Sequence, residues 1–175
     1  MDNLGKYLVH SDYKHILETA KIAAKLGKQE KMKVYIVGGV VRDIILGKKI
    51  QDIDLMVEGD GILFAKKLAN IIGVKKIVPY EKFGTALIPN KLFQIEVASS
   101  RSESYDSISR SPSVVKDASI KEDLKRRDFT INAMAMDISE EKFGDVIDPF
   151  RGINDLRKGI LRTPLDPEKT FSDDP

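Results

Sequence analysis

Two aspartates one residue apart, Asp52 and Asp54, stand at the head of the apolar run Ile53, Leu55, Met56 and Val57. In a strand, side chains two apart leave the same face, so both carboxylates share one side while Ile53, Leu55 and Val57 enter the core. Carboxylates held roughly 6–7 Å apart resist joint ionisation unless a cation sits between them. Mg²⁺ suits such a pair, because it takes one or two carboxylates and completes its shell with water and phosphate oxygens. A solvated acidic strand edge is the plain alternative, since D-x-D is a common pattern. A second run repeats the logic: Phe93, Ile95 and Val97 alternate with Gln94 and Glu96. If the two strands are neighbours, Glu96 faces the same water as Asp52 and Asp54. Three carboxylates suit two-metal phosphoryl or nucleotidyl transfer, one ion activating a hydroxyl and the other neutralising a triphosphate. A surface charge paired with Lys91 or Arg101 accounts for Glu96 equally well.

Gly38-Gly39-Val40-Val41-Arg42-Asp43 lies between an apolar run and a helical pattern. Two glycines let backbone approach an anion, and the N–H groups of a helix start point at it. Arg42 adds a forked cation for phosphate oxygens, and Asp43 can accept from an arginine or a sugar hydroxyl. Tight packing alone also explains a Gly-Gly pair. Further on, Glu122 and Arg126, like Asp123 and Arg127, sit four residues apart, the spacing of a salt-bridged helix face. Arg127, Asp128 and Asn132 also bring a cation, an acid and an amide together beside small Ala133, a set that could hold a ribose and triphosphate.

The elements that must position these groups follow from periodicity. Ile16, Leu17, Ala20, Ala23 and Ala24 predict a helix over the first 30 residues, stopped by Gly27 and the charged residues 28–33. Strands are expected at residues 34–37, 53–57, 77–78, 85–88, 92–98, 134–138 and 146–147, and helices after Gly39, over residues 62–72 and over residues 153–158. Nine of the 21 residues from 99 to 119 are Ser without apolar period, which predicts a mobile loop. Ser119 precedes Glu122 by three, a capping-box spacing that opens a helix through Arg127. Strands interleaved irregularly with helices predict a mixed sheet.

Composition narrows the classes. The chain has 175 residues, 42% hydrophobic and 32% charged, with a net charge of +2, two His and no Cys. Disulfide scaffolds, zinc fingers, iron–sulfur clusters and thiol nucleophiles are excluded, and any metal must rest on carboxylates. No apolar run has the length of a membrane span, so a cytoplasmic protein without membrane contact is expected.

Taken together, residues 38–43 (GGVVRD), 52–57 (DIDLMV), 93–101 (FQIEVASSR) and 124–135 (LKRRDFTINAMA) resemble the head domain of the class II tRNA nucleotidyltransferase (CCA-adding) and bacterial poly(A) polymerase family. The likeness runs on through residues 147–152 (IDPFRG) and covers the chain from about Lys33 to its end. It implies an α+β fold, the polymerase-β-like nucleotidyltransferase head with a mixed β-sheet flanked by helices. It also implies that Asp52 and Asp54 bind Mg²⁺, with Glu96 as third catalytic and metal-binding carboxylate. Gly39 and Arg42 would meet the triphosphate, Gly38, Asp43 and Arg127 the nucleotide, and Asp128 and Asn132 the ribose; Asp174 matches a further nucleotide contact. The implied substrates are CTP or ATP and the 3′ end of tRNA or another RNA, with release of pyrophosphate. Residues 58–61 (EGDG) resemble longer members that also carry DHH and CBS domains.

The family continues beyond such a head into an arginine-rich helix and a neck whose Glu-Asp-x-x-Arg motif selects the base, then into domains that hold tRNA. A head fragment is therefore expected: a leading helical segment over residues 1–30, the nucleotidyltransferase head over 31–150 and the truncated start of the neck over 151–175. Poly(A) synthesis, or nucleotide and RNA binding without turnover, are the alternatives.

Overall fold

Apolar residues at three- and four-residue spacing make Lys14–Glu30 a helix, α1, with Ile16, Ala20, Ala23 and Leu26 buried along one side. The computed structural model describes residues 3–90, 93–104, 113–116, 118–168 and 170. α1 runs past Gly27, the stop expected from sequence, to Lys31 in left-handed conformation with φ 57°. Gly27 instead permits a close approach: a Cβ there would stand 2.7 Å from Val34 Cγ2. The N–H groups of Lys31 and Met32 return to the carbonyls of Lys28 and Gly27 and close the helix end.

The chain continues as β1 (Val34–Val37), α2 (Gly39–Ile45), β2 (Asp52–Val57), α3 (Gly61–Ile71), β3 (Val78–Tyr80), β4 (Thr85–Ile88) and β5 (Gln94–Ser99). It then forms β6 (Arg101–Ser104), β7 (Ser113–Lys116), α4 (Ile120–Lys125), β8 (Ala135–Asp137), β9 (Val146–Ile147) and α5 (Gly152–Lys158). Seven strands make one sheet in the order β3-β4-β5-β2-β1-β8-β9. β2 and β5 run parallel, and the other pairings in that sheet are antiparallel. The sheet is mixed, as the sequence predicts.

Its two faces are unequal. On one, Ile16 and Ala20 of α1, Val41 and Ile44 of α2, and Phe64 and Leu68 of α3 pack with Ile36, Ile53, Leu55, Ile95 and Val97. Each Ile, Leu or Phe side chain buried this way contributes about 1.5–3 kcal/mol. On the other, Ile120 and Leu124 of α4 form a smaller cluster with Tyr35, Val37, Met56, Ala133 and Ala135, against which Ile147 and Phe150 pack. Met56 shares the face of Asp52 and Asp54, because side chains two apart point the same way. The acids therefore sit beside a small second core, where α4 stops covering the sheet.

The expected loop over residues 99–119 is corrected. β5 extends to Ser99, and β6 pairs antiparallel with β7 from Arg101 against Lys116 to Ser104 against Ser113. Ladder hydrogen bonds come from the backbone, so such a hairpin forms without apolar alternation. Residues 105–112 of that stretch lie outside the described residues. The capping box at α4 is present as expected: the Ser119 N–H donates to Glu122 Oε2 at 2.8 Å.

Candidate active site

Parallel pairing of β2 with β5 sets Asp54 directly against Glu96 and Asp52 against Gln94. Opposed residues in a ladder point to the same side of the sheet, so all three acids leave one face. Asp52 and Glu96 are exposed and Asp54 is half-buried. Asp52 Oδ1 accepts from the Gln94 N–H at 3.3 Å, tying it to the neighbouring strand. Burial, then the Glu96 charge, lifts the Asp54 carboxyl to about 6; Arg127 pulls it down and Asp52 pushes it up. A divalent cation among Asp52, Asp54 and Glu96 would offset the repulsion of their charges, so this donor set fits one. Among the described residues, no three His, Asp or Glu side chains are closed up as a ready-made metal cage. Mg²⁺ needs none, since one or two carboxylates with water and phosphate complete its shell.

The glycine turn reaches the acids through β1. That strand pairs antiparallel with β2, Ile36 opposite Leu55, and continuing the register places Val37 beside Asp54. Gly38 follows with φ 70° and ψ −134°, a conformation suited to glycine. A Cβ at Gly38 would stand 2.7 Å from Arg127 Nη1, and one at Gly39 3.3 Å from Arg42 Nη2. Two guanidiniums are thus laid against the two glycines. The Gly38 N–H donates to the Met134 carbonyl at 2.9 Å, which fixes the turn to the strand end that follows Asn132 and Ala133.

A polar chain links the remaining predicted residues. Arg42 donates through Nε and Nη2 to the two oxygens of Asp43, at 2.9 and 3.1 Å, and through Nη1 to Asn132 Oδ1 at 2.7 Å. Three of its five N–H donors are occupied, which leaves two for an anion. Asn132 Nδ2 donates to both Asp128 oxygens at 3.2 Å. Asp43, Arg42, Asn132 and Asp128 so form one row beside the glycines. Asp174 lies outside the described residues.

Two carboxylates that the sequence does not single out as site residues hold this arrangement in place. Asp123 is 1% exposed and accepts from Arg126 Nη2 at 2.8 Å and Arg127 Nη2 at 3.2 Å. Arg126 therefore bonds Asp123, three residues back, whereas Glu122, its expected partner, serves the capping box. Asp155 of α5, 3% exposed, accepts from the Thr130 hydroxyl at 2.8 Å and pairs with Arg162 at 3.3 Å. Thr130 opens the 3-10 turn Thr130–Asn132 that presents Asn132. Both acids lie on helical turns rich in charge, where spacing does not reveal which carboxylate is buried.

Two hollows meet at this place. One, of about 280 Å³, is lined by Gly39, Asp43, Asp52 and Asp54. The other, of about 940 Å³, takes in Tyr13, His15, Lys48, Phe93 and Gln94, and it shares Lys49, Ile50, Gln51 and Asp52 with the first. No helix among the described residues is long and apolar enough to cross a membrane.

Residues 34–162 match the family model described as Poly A polymerase head domain. The chain is 46% identical over 144 residues to the A-adding tRNA nucleotidyltransferase of Aquifex aeolicus (strain VF5), over 82% of this chain and 17% of that protein. Among solved structures, a CCA-adding enzyme in apo form II matches with a TM-score of 0.87 at 39% identity, over 99% of this chain and 40% of the other. A tRNA nucleotidyltransferase complexed with a primer tRNA and an incoming ATP analog matches with a TM-score of 0.74 at 41% identity, over 87% of this chain and 41% of that one. The chain thus spans well under half the length of these relatives.

Proposed function

The chain belongs to the poly(A) polymerase head-domain family, and from that premise we propose that it is the catalytic head of a template-independent RNA nucleotidyltransferase that adds CMP or AMP to the 3′ end of tRNA. The observation that carries this reading is the in-register opposition of Asp54 and Glu96 next to a glycine turn backed by two guanidiniums. The A-adding and CCA-adding relatives, and the solved complexes with CTP and with ATP, support CTP or ATP as the donor.

In this reading Asp52, Asp54 and Glu96 hold Mg²⁺, which when bound lowers the pKa of the attacking hydroxyl and neutralises triphosphate charge. The Gly38-Gly39 turn and the two spare Arg42 donors grip the triphosphate, and Arg127 adds charge on the same side. Asp128 and Asn132 meet the ribose, and Asp43 keeps the Arg42 fork in plane. The RNA 3′-hydroxyl attacks the α-phosphorus, a new phosphodiester bond forms, and the bond to the β-phosphate breaks to release pyrophosphate. Residues 31–150 form the head, with a leading helical segment over 1–30 and the start of a neck over 151–175. Such work on tRNA supports a cytoplasmic location for the protein.

The test is transfer of labelled AMP from ATP with Mg²⁺ onto tRNA ending in two cytidines, against an unrelated RNA. Labelled tRNA from the unmodified chain, lost in Asp52→Asn with Asp54→Asn, is the expected result. A growing ladder on the unrelated RNA would replace tRNA maturation by poly(A) synthesis. Undiminished transfer by the double variant would remove the carboxylate assignment. ATP binding without transfer would reduce the segment to a nucleotide-binding part of its parent.

A further inference from the structure

We propose that Tyr13 is a positioning residue of the nucleotide site, its hydroxyl holding the turn over residues 47–51 in place as one wall of the smaller hollow. This rests on the transfer reading above, in which that hollow, lined by Gly39, Asp43, Asp52 and Asp54, takes the triphosphate. Lys49, Ile50 and Gln51 line the same hollow. They belong to a stretch with little to hold it. Leu46, Gly47, Lys48 and Lys49 are all exposed, and Gly47 turns the chain out of α2 with φ 64°. Two backbone bonds close the turn on α2: the Gly47 N–H donates to the Ile44 carbonyl at 3.1 Å and the Lys48 N–H to the Asp43 carbonyl at 2.9 Å. Ile50, 6% exposed, is the next buried residue, and β2 begins at Asp52. Exposed backbone with few buried contacts opens at low free-energy cost.

Tyr13 supplies an anchor from outside the turn. It ends the 3-10 turn Ser11–Tyr13 ahead of α1, is buried and belongs to the same core as Ile44, Ile50 and Ile53. Its own N–H donates to the His10 carbonyl at 3.0 Å, and its hydroxyl donates to the Lys48 carbonyl at 2.9 Å. Lys48 is thus tied by both of its backbone groups, one to α2 and one to the segment ahead of α1. Burial, then the charges of Asp12 and Asp43, pushes the Tyr13 hydroxyl above the usual tyrosine range, so it stays protonated and goes on donating. Among the described residues Tyr13 lines the larger hollow and not the smaller, so it acts on the nucleotide through the turn. A tyrosine kept only to fill the core would need its ring and not its hydroxyl.

Tyr13→Phe keeps the ring and removes the hydroxyl. The measurements, on the full chain well below its Tm, are calorimetric titration with ATP and Mg²⁺, amide hydrogen exchange, and the kinetics of AMP transfer to tRNA ending in two cytidines. ATP affinity should fall about two- to tenfold, the shift that one hydrogen bond gives the equilibrium of the turn. Exchange at the Lys48 N–H should quicken by a similar factor, while Ile36 and Leu55 in the central strands keep their rates. KM for ATP should rise with kcat unchanged, because pairing with β5 holds Asp52 without the turn. ATP affinity equal to that of the unmodified chain would overturn the assignment and leave the transfer reading standing. Faster exchange at Ile36 and Leu55 as well as Lys48 would also overturn it, as the mark of a tyrosine that only supports the fold. A fall in kcat at unchanged KM would move the effect to the acids and overturn it too. Weaker ATP binding in the variant, with no transfer by either form, would keep the positioning role and remove the transfer reading.

Discussion

Asp54→Asn should stabilise the metal-free protein, and only above mildly acidic pH. In the folded chain the Asp54 carboxyl stands at about 6 against 3.8 for a free aspartate side chain, burial being the larger cause and Glu96 the next. Between those values the folded state keeps a proton that the unfolded state has released, so stability falls as pH rises through the window. At about 1.4 kcal/mol per pH unit, the gap from 3.8 to about 6 amounts to about 3 kcal/mol, fully developed above pH 6. Asparagine keeps the volume and removes the charge. Below about pH 4 the two proteins should differ by less than about 1 kcal/mol. At pH 7.5 in EDTA the variant should be the more stable by about 2–3 kcal/mol, since other titrating groups cancel in the difference. Urea unfolding followed by circular dichroism across this range measures it. A difference that stays flat with pH, or a parent more stable than the variant at pH 7.5, would refute the reasoning. Added Mg²⁺ should narrow the difference, because a cation at Asp54 stabilises only the parent.

Other substitutions probe the supporting structure. Gly38→Ala places a side chain in a glycine conformation and 2.7 Å from Arg127 Nη1; it should cost about 1–3 kcal/mol, lower Tm and weaken ATP binding in titration. Asp123→Asn removes the buried carboxylate that Arg126 and Arg127 share and should lower unfolding free energy by about 1.5–3 kcal/mol in urea, the usual range for hydrogen bonds to a charged group. Asp155→Ala removes the acceptor of the Thr130 hydroxyl. It should cost about 1–3 kcal/mol and speed amide exchange at Asn132 and Ala133, whose N–H groups donate to the carbonyls of Phe129 and Thr130.

Much of the site is local and therefore legible. Alternation in Asp52–Val57 places both aspartates on one face whatever the strand pairs with. The Gly38-Gly39 turn between an apolar strand and a helix, and the Ser119–Glu122 capping box, are likewise written in adjacent residues. The same local logic fails at Gly27, where only the approach of Val34 reveals a packing role. It fails again at residues 101–104 and 113–116, whose backbone pairs without an apolar signal.

The order of chain elements alone could not say that β2 and β5 become parallel neighbours, with β3 and β4 set outside them. That choice puts Glu96 against Asp54, and it depends on which strands jointly bury Ile53, Leu55, Ile95 and Val97 under α3. Nor could spacing show that Asp123, rather than Glu122, is the acid that restrains both arginines, because burial by α4 against the sheet selects it. Side-chain period encodes the face a residue leaves by; which groups share that face across strands is settled by the burial of the whole chain.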